Sequence, residues 1–199
     1  MHPNGLQRLL EGNRRFAQGL PAQGDRSPAR RAALTAQQEP FALILSCSDS
    51  RVPPEIVFDC GLGELFVVRT AGHALDDAVL ETIQFGVHVL QIPLMVVLGH
   101  TGCGAVSVAV DHWRAQSHEE VPAGTIVQQI APAIAQCVPE LPQTGDPHFD
   151  DAQMKAIVRA HVQGTVDRLS HAHADLLAGV QVVGAIYHLD AGVVELLSA

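Results

Sequence analysis

The sequence predicts an α/β domain with a mainly parallel central β-sheet flanked by helices. Short continuous apolar runs recur at Phe41–Leu45, Leu65–Arg69, Leu94–Leu98 and Val180–Tyr187. Each has strand length and lacks the alternation of a half-exposed strand, the mark of a strand buried on both faces of a parallel sheet. Helical stretches fall between most of these runs, and strands alternating with helices give parallel crossovers. The 199 residues, 47% hydrophobic and 17% charged, are expected to form a single domain with a sizeable core. Residues 1–40 read as a helical arm and 41–199 as the α/β core.

Along residues 4–18, Leu6, Leu9, Leu10, Asn13 and Phe16 share helical spacing, with Arg8, Glu11, Arg14 and Arg15 largely on other faces. Gly19 and Pro21 end this helix, and Pro21–Pro28 reads as a linker. A weaker helix is expected over Ala29–Gln38. After the first strand pair, Asp76–Leu90 places Val79, Leu80, Ile83, Val87 and Leu90 on one side. Acidic Asp76 and Asp77 stand at its positive end. Further helices fit Ala105–Ala115, Thr125–Cys137 and Asp150–Leu177, with a proline-rich break at Pro139–Pro147.

Composition narrows the function. A net charge of −9 disfavours nucleic acid, whose phosphates call for a basic face. The longest apolar runs are far too short to span a bilayer, so no membrane partner is expected. The N-terminus has no apolar leader, which points to the cytoplasm. In a reducing compartment Cys47, Cys60, Cys103 and Cys137 suit metal binding or simple burial better than a disulfide framework.

Two strand ends carry metal-ligand residue types, at the carboxyl edge where open α/β sheets place their sites. The first continues as Cys47-Ser-Asp49-Ser-Arg51. If the chain stays extended there, alternation puts Cys47, Asp49 and Arg51 on one side. The second ends in Gly99-His100-Thr-Gly-Cys103-Gly104, a glycine-rich turn that lets His100 and Cys103 reach one ion. Two thiolates and an imidazole suit Zn2+, and three protein ligands leave a fourth position open, as catalytic zinc sites do. A buried cysteine beside a strand is more often a small hydrophobe, and a lone His-x-x-Cys arises by chance. The combination is what carries the reading.

These motifs, with Phe66-Val-Val-Arg69-Thr-Ala-Gly72 between them and Val183-Gly-Ala-Ile-Tyr187 near the end, resemble the β-class carbonic anhydrases in order and separation. The similarity runs from about Leu6 to Leu197 and is thin between Ala115 and Val162. The resemblance implies zinc held by Cys47, His100 and Cys103, and reversible hydration of CO2 to bicarbonate by attack of zinc-bound hydroxide. Asp49 and Arg51 then form the orienting dyad, and Asp49 is also a conditional zinc ligand in a closed state. Gln38, Phe66, Val68 and Gly104 are the implied substrate-pocket residues, although core packing alone would account for Phe66 and Val68. A homodimer or homotetramer is implied, with the N-terminal helix packing on a neighbouring subunit through Leu6, Leu9 and Phe16.

There are departures from the family pattern. Thr70 and His73 stand where many relatives have asparagine, and Gln84-Phe85 replaces a frequent Glu-Tyr pair. Ile44 replaces the tryptophan that marks a subgroup with a separate inhibitory bicarbonate site, so that site is not implied. Of the eleven histidines, only His100 reads as a ligand, and His73 is at most a proton-shuttle candidate. Two other readings use the same ligands: hydrolysis of carbon disulfide or carbonyl sulfide, and a noncatalytic zinc-stabilised interaction module. Asp49 and Arg51 together disfavour the second, because a structural zinc has no use for an orienter.

Overall fold

The structure is a computed structural model that describes residues 4–22, 24–115, 124–138 and 150–197. In chain order the elements are α1 (Gly5–Ala17), α2 (Pro28–Ala33), β1 (Ala42–Cys47), α3 (Pro54–Val57), β2 (Leu65–Thr70), α4 (Asp77–Gln84), β3 (Leu94–His100), α5 (Gly104–Ala115), α6 (Thr125–Cys137), α7 (Asp151–Ala172), β4 (Gln181–His188) and β5 (Val193–Leu196). The sheet order is β2-β1-β3-β4-β5. The first four strands are parallel and β5 returns antiparallel to β4.

All six residues of β1 and all seven of β3 are buried, as their unbroken apolar runs require. Alternation then sorts the side chains into two layers. Leu43, Leu45, Cys47, Met95 and Val97 join one cluster with α4, α5, α6 and α7. Ala42, Ile44, Leu94, Val96 and Leu98 join the other, with Leu9 of α1 and Val57 of α3.

The helices form where the sequence supplies caps. The Asp76 carboxylate accepts from the Val79 N–H at 2.8 Å and starts α4. Asp150 and Gln153 form a reciprocal capping box at the start of α7. Several boundaries differ from expectation. α2 stops at Ala33, because the chain turns at Leu34, and leaves Gln38 exposed and outside regular structure. α4 ends at Gln84 and continues as five π-helical residues, Phe85–Val89. α7 ends at Ala172, and residues 173–179 close as turns. α3 and β5 were not anticipated. The expected break at Pro139–Pro147 lies outside the described residues.

The apolar side of α1 faces the chain's own sheet. Leu9 is 1% exposed, and Leu6 and Phe16 pack against the same cluster. Leu9 of this face, expected at a subunit contact, is thus buried inside the chain, while Leu6 and Phe16 are half-buried. Asn13, read as part of the apolar stripe, is instead a buried polar hub. Its amide donates to Val57 O at 3.1 Å and Gly192 O at 2.9 Å, and its carbonyl accepts from Val194 N at 2.7 Å. One side chain therefore ties α1 to the end of α3 and to the β4–β5 hairpin.

Asn13→Ala strands those backbone groups, each costing about 1–3 kcal/mol if left buried without a partner. The unfolding free energy from urea denaturation should fall by an amount in or above that range, with a lower urea midpoint. An unchanged midpoint would mean that water replaces the amide at no cost.

Candidate metal centre

The β1–β3 pairing sets the site. Ser46 lies opposite Leu98, so the carboxyl ends of the two strands emerge side by side. β1 ends on Cys47 and β3 on His100. The chain leaving β3 turns through Gly102 at φ +64°, a left-handed conformation that favours glycine, and brings Cys103 back beneath the start of α5. Close approach at the end of β3 also needs Gly99, where a Cβ would sit 2.4 Å from a Val162 methyl of α7.

Ligand atoms of Cys47, His100 and Cys103 all lie within 4.8 Å of one another, and all three residues are buried. The two sulfurs are 4.0 Å apart. A tetrahedral ion with Zn–S bonds of ~2.3 Å separates two thiolates by roughly 3.8 Å, so the spacing fits zinc. The ring of His100 is set for the same purpose. Nδ1 lies 2.9 Å from Thr101 O, which can only accept, so Nδ1 carries the proton of the neutral ring. Nε2 is then a free lone pair, and it is buried without a hydrogen-bond partner.

Electrostatics favour a thiolate at Cys47. A hydrogen bond from the Cys103 thiol pulls its pKa down, helped by the Gly72 N–H, 3.3 Å from Sγ. Cys103 is pushed the other way, by Cys47 and by burial. Two sulfurs in contact share one proton until a cation replaces it.

Asp49 and Arg51 meet beside this cluster, though not by extended alternation. The chain turns at Ser50–Arg51, and the Asp49 carboxylate accepts from the Arg51 backbone N–H at 2.9 Å. The guanidinium then grips both oxygens, with Nε to Oδ1 at 2.9 Å and Nη2 to Oδ2 at 2.7 Å. This clamp holds the carboxyl far below the usual carboxylate range. Oδ2 stands 3.9 Å from His100 Nε2.

The other expected residues are spread more widely. Val68 packs in the cluster that contains Cys47 and Cys103, with Phe66 at its margin against Phe85, ring centroids 6.1 Å apart. Gly104 borders an apolar recess of about 470 Å³ with Ala71, Ala105, Val108, Ile126 and Val127. Gln38 is exposed and outside this assembly of side chains. His73 is no shuttle: it is 3% exposed, and burial drives its basicity down, so it neither meets solvent nor gains protons readily.

Sequence reasoning missed Arg69 as a site residue. Its Nε donates to Cys47 O at 3.0 Å and its Nη2 to Asp49 O at 2.6 Å, fixing the backbone that carries both side chains. The signal was a cation ending an apolar strand beside the Cys-x-Asp strand.

The family model for carbonic anhydrase matches residues 42–194. The chain belongs to the β-carbonic anhydrase family. It is 44% identical over 198 residues to a carbonic anhydrase of Mycolicibacterium smegmatis, covering 96% of this chain and 90% of that protein. It is 42% identical over 189 residues to carbonic anhydrase 2 of Mycobacterium tuberculosis, covering 92% and 87%. In fold it is similar to a tetrameric β-carbonic anhydrase of Sordaria macrospora, with TM-score 0.71 and 21% identity, covering 99% and 98%. It is likewise similar to the Coccomyxa β-carbonic anhydrase solved with acetazolamide, with TM-score 0.68 and 24% identity, covering 96% and 86%. The family is enzymatic and metal-dependent, and its activity is CO2 hydration.

Metal analysis of the purified carbonic anhydrase should find about one zinc per chain, as a single three-ligand site requires. Cys103→Ala should lose most of that metal. Full occupancy in the variant would remove Cys103 from the ligand set.

Proposed function

We propose that this chain carries out the zinc-dependent interconversion of CO2 and bicarbonate, with Cys47, His100 and Cys103 as ligands and Asp49 and Arg51 as the orienting pair. One observation carries the reading: a carboxylate clamped by arginine stands 3.9 Å from the free nitrogen of a buried Cys-His-Cys set. A structural zinc site has no need of that group. Bound here, zinc would acidify a water and supply hydroxide near neutral pH.

The protein's own residues do the rest. Arg51 keeps Asp49 ionised and fixes its plane. Oδ2 accepts the hydrogen of the attacking oxygen and turns that oxygen's lone pair toward CO2. The apolar recess beside Gly104 and Ala71 offers linear, nonpolar CO2 a dry approach. Val68 and Phe66 support the wall behind the sulfurs. Asp49 freed from Arg51 could itself occupy the open ligand position. Relatives at 42–44% identity that are named carbonic anhydrases favour CO2 over carbon disulfide or carbonyl sulfide as substrate.

The reading extends to assembly and location. The chain acts as one domain, with 1–40 as its arm. Val108 is 60% exposed and Ile126 37% exposed on the recess beside the site, which suits cover by a second copy. A dimer or tetramer would supply that cover and could bring Gln38 of one copy to the pocket of another. α1 would then contact its neighbour through a face other than the buried one. All four cysteines are free, and among the described residues no helix is long and apolar enough to cross a membrane. Both support a cytoplasmic enzyme.

Light scattering should give a dimer or a multiple of one at working concentration, and an active monomer would defeat this assembly. CO2 hydration by the zinc-loaded protein, run beside carbon disulfide, tests the substrate. The profile should rise from about pH 6 to 9, because two thiolates reduce the metal's charge and delay ionisation of its water beyond the value near 7 at three-histidine sites. The depressed pKa of Asp49 keeps it charged across this range, so its own titration does not shape the limb. Arg51→Ala should depress the rate, most at low pH where hydroxide competes poorly with a released Asp49. A flat profile, or a variant with wild-type rates throughout, would sink the dyad's role.

A further inference from the structure

Loop 71–75 carries a donor to the Cys47 thiolate, and three side chains hold that loop. Gly72 presents its N–H to Sγ at 3.3 Å from a left-handed turn, Gly72 at φ 61° and His73 at φ 46°. Left-handed backbone is costly for a residue with a side chain, so His73 needs external restraint. Glycine is required at 72 on a second count, since a Cβ there would lie 3.0 Å from the Ala105 Cβ. Gln129 of α6 brackets Leu75, accepting from its N–H at 2.8 Å and donating to its carbonyl at 2.6 Å. Thr70 Oγ1 donates to Ala74 O at 2.8 Å. The carbonyl of Gly72 itself is met by His161 Nε2, reaching from α7 at 2.9 Å. The two histidine rings stack, centroids 4.3 Å apart and planes at 28°.

We propose that His161, with His73 stacked on it, is a positioning residue for the metal thiolate: it fixes the turn whose Gly72 N–H is aimed at Cys47 Sγ. This rests on the reading of Cys47 as a zinc ligand. The chemistry is specific. Gly72 O can only accept, so Nε2 must carry the ring's proton. Burial keeps His161 neutral, which leaves it a single N–H. Stacking limits ring rotation and couples His73's left-handed backbone to the same support. Burial likewise keeps His73 neutral, so the stack brings no second charge beside the sulfurs. A hydrogen bond to a coordinating thiolate tunes how strongly it donates to metal, and loss of such outer partners typically costs 10–100-fold in metal affinity or activity.

The test compares His161→Phe, which keeps the flat ring and loses the donor, with His161→Gln, whose amide N–H can occupy nearly the same place. Each is loaded with cobalt as a spectroscopic substitute for zinc, after circular dichroism has shown native folding. H161F should retain metal 10–100-fold less tightly against a chelator and should shift the sulfur-to-cobalt charge-transfer band. H161Q should stay close to wild type in both. A folded H161F with wild-type affinity and an unmoved band overturns the proposal. Should H161F fail to fold, nitrogen NMR of histidine-labelled wild-type holoprotein decides, since His161 must be the Nε2–H tautomer and an Nδ1–H form overturns it. Wild-type protein that takes up no metal defeats the metal reading and this inference together. Metal-loaded wild type beside an indifferent H161F defeats the inference alone.

Discussion

The parallel pairing of β1 with β3 is the constraint on which the rest of this molecule depends. Cys47 and His100 are 53 positions apart in sequence, and only this register puts the two strand ends next to each other. The register is itself dictated by burial. A slip of one residue would turn Leu43, Leu45 and Cys47 from the layer under α4–α7 into the layer under α1. The layers that fill the core therefore also aim the Cys47 thiol. Gly99 carries the same logic to the end of β3, where α7 lies too close for any Cβ. Packing and ligand geometry are one requirement here.

Placing thiolates in a dry strand end creates an electrostatic problem, and the surroundings answer it with oriented donors. The Gly72 N–H points at Cys47, while Arg69 and Arg51 bond to carbonyls and to Asp49 around the ligand loops. Both arginines act from the side facing solvent. Arg51 has 57% of its side chain exposed, whereas Asp49 beneath it has 15%. An exposed guanidinium contributes modestly to stability because water screens it. Its value here is geometric, since a two-point grip fixes the plane of the carboxylate.

Much of this was legible in the sequence, and the reason differs by element. β1 and β3 were readable because strands buried on both faces leave unbroken apolar runs. The Cys47, His100 and Cys103 cluster was readable because its residues lie at or just past two strand ends, where a parallel sheet places chemistry. β5 was hidden because four residues, Val193–Leu196, give no periodicity to count. The Asp49–Arg51 contact was anticipated but its cause was not: an aspartate side-chain turn made it, which alternation cannot foresee. Asn13 was misfiled because helical spacing records the face of a residue and not its partners. His161 was out of reach, since its bond to Gly72 spans 89 residues and depends on how α7 settles over β3.

The placement of the histidines bears on how protons must travel. The rings of His73 and His161 stack beside the Gly72 turn, and burial lowers the basicity of both. A neutral, stacked, solvent-shielded pair can hold a turn but offers no outlet for a proton. Among the described residues the recess bordered by Ala71, Gly104 and Val108 is almost wholly apolar. Asp49 and Arg51 occupy another side, where charge already meets water. Asp49 is too weak a base to store a proton near neutrality, because Arg51 holds its pKa so low. It can orient an O–H but must pass any released proton onward to solvent or buffer. Under the proposed mechanism this layout would separate three tasks by direction: a stacked histidine pair holding the Gly72 turn, an apolar approach for CO2, and a charged, wet side for proton release.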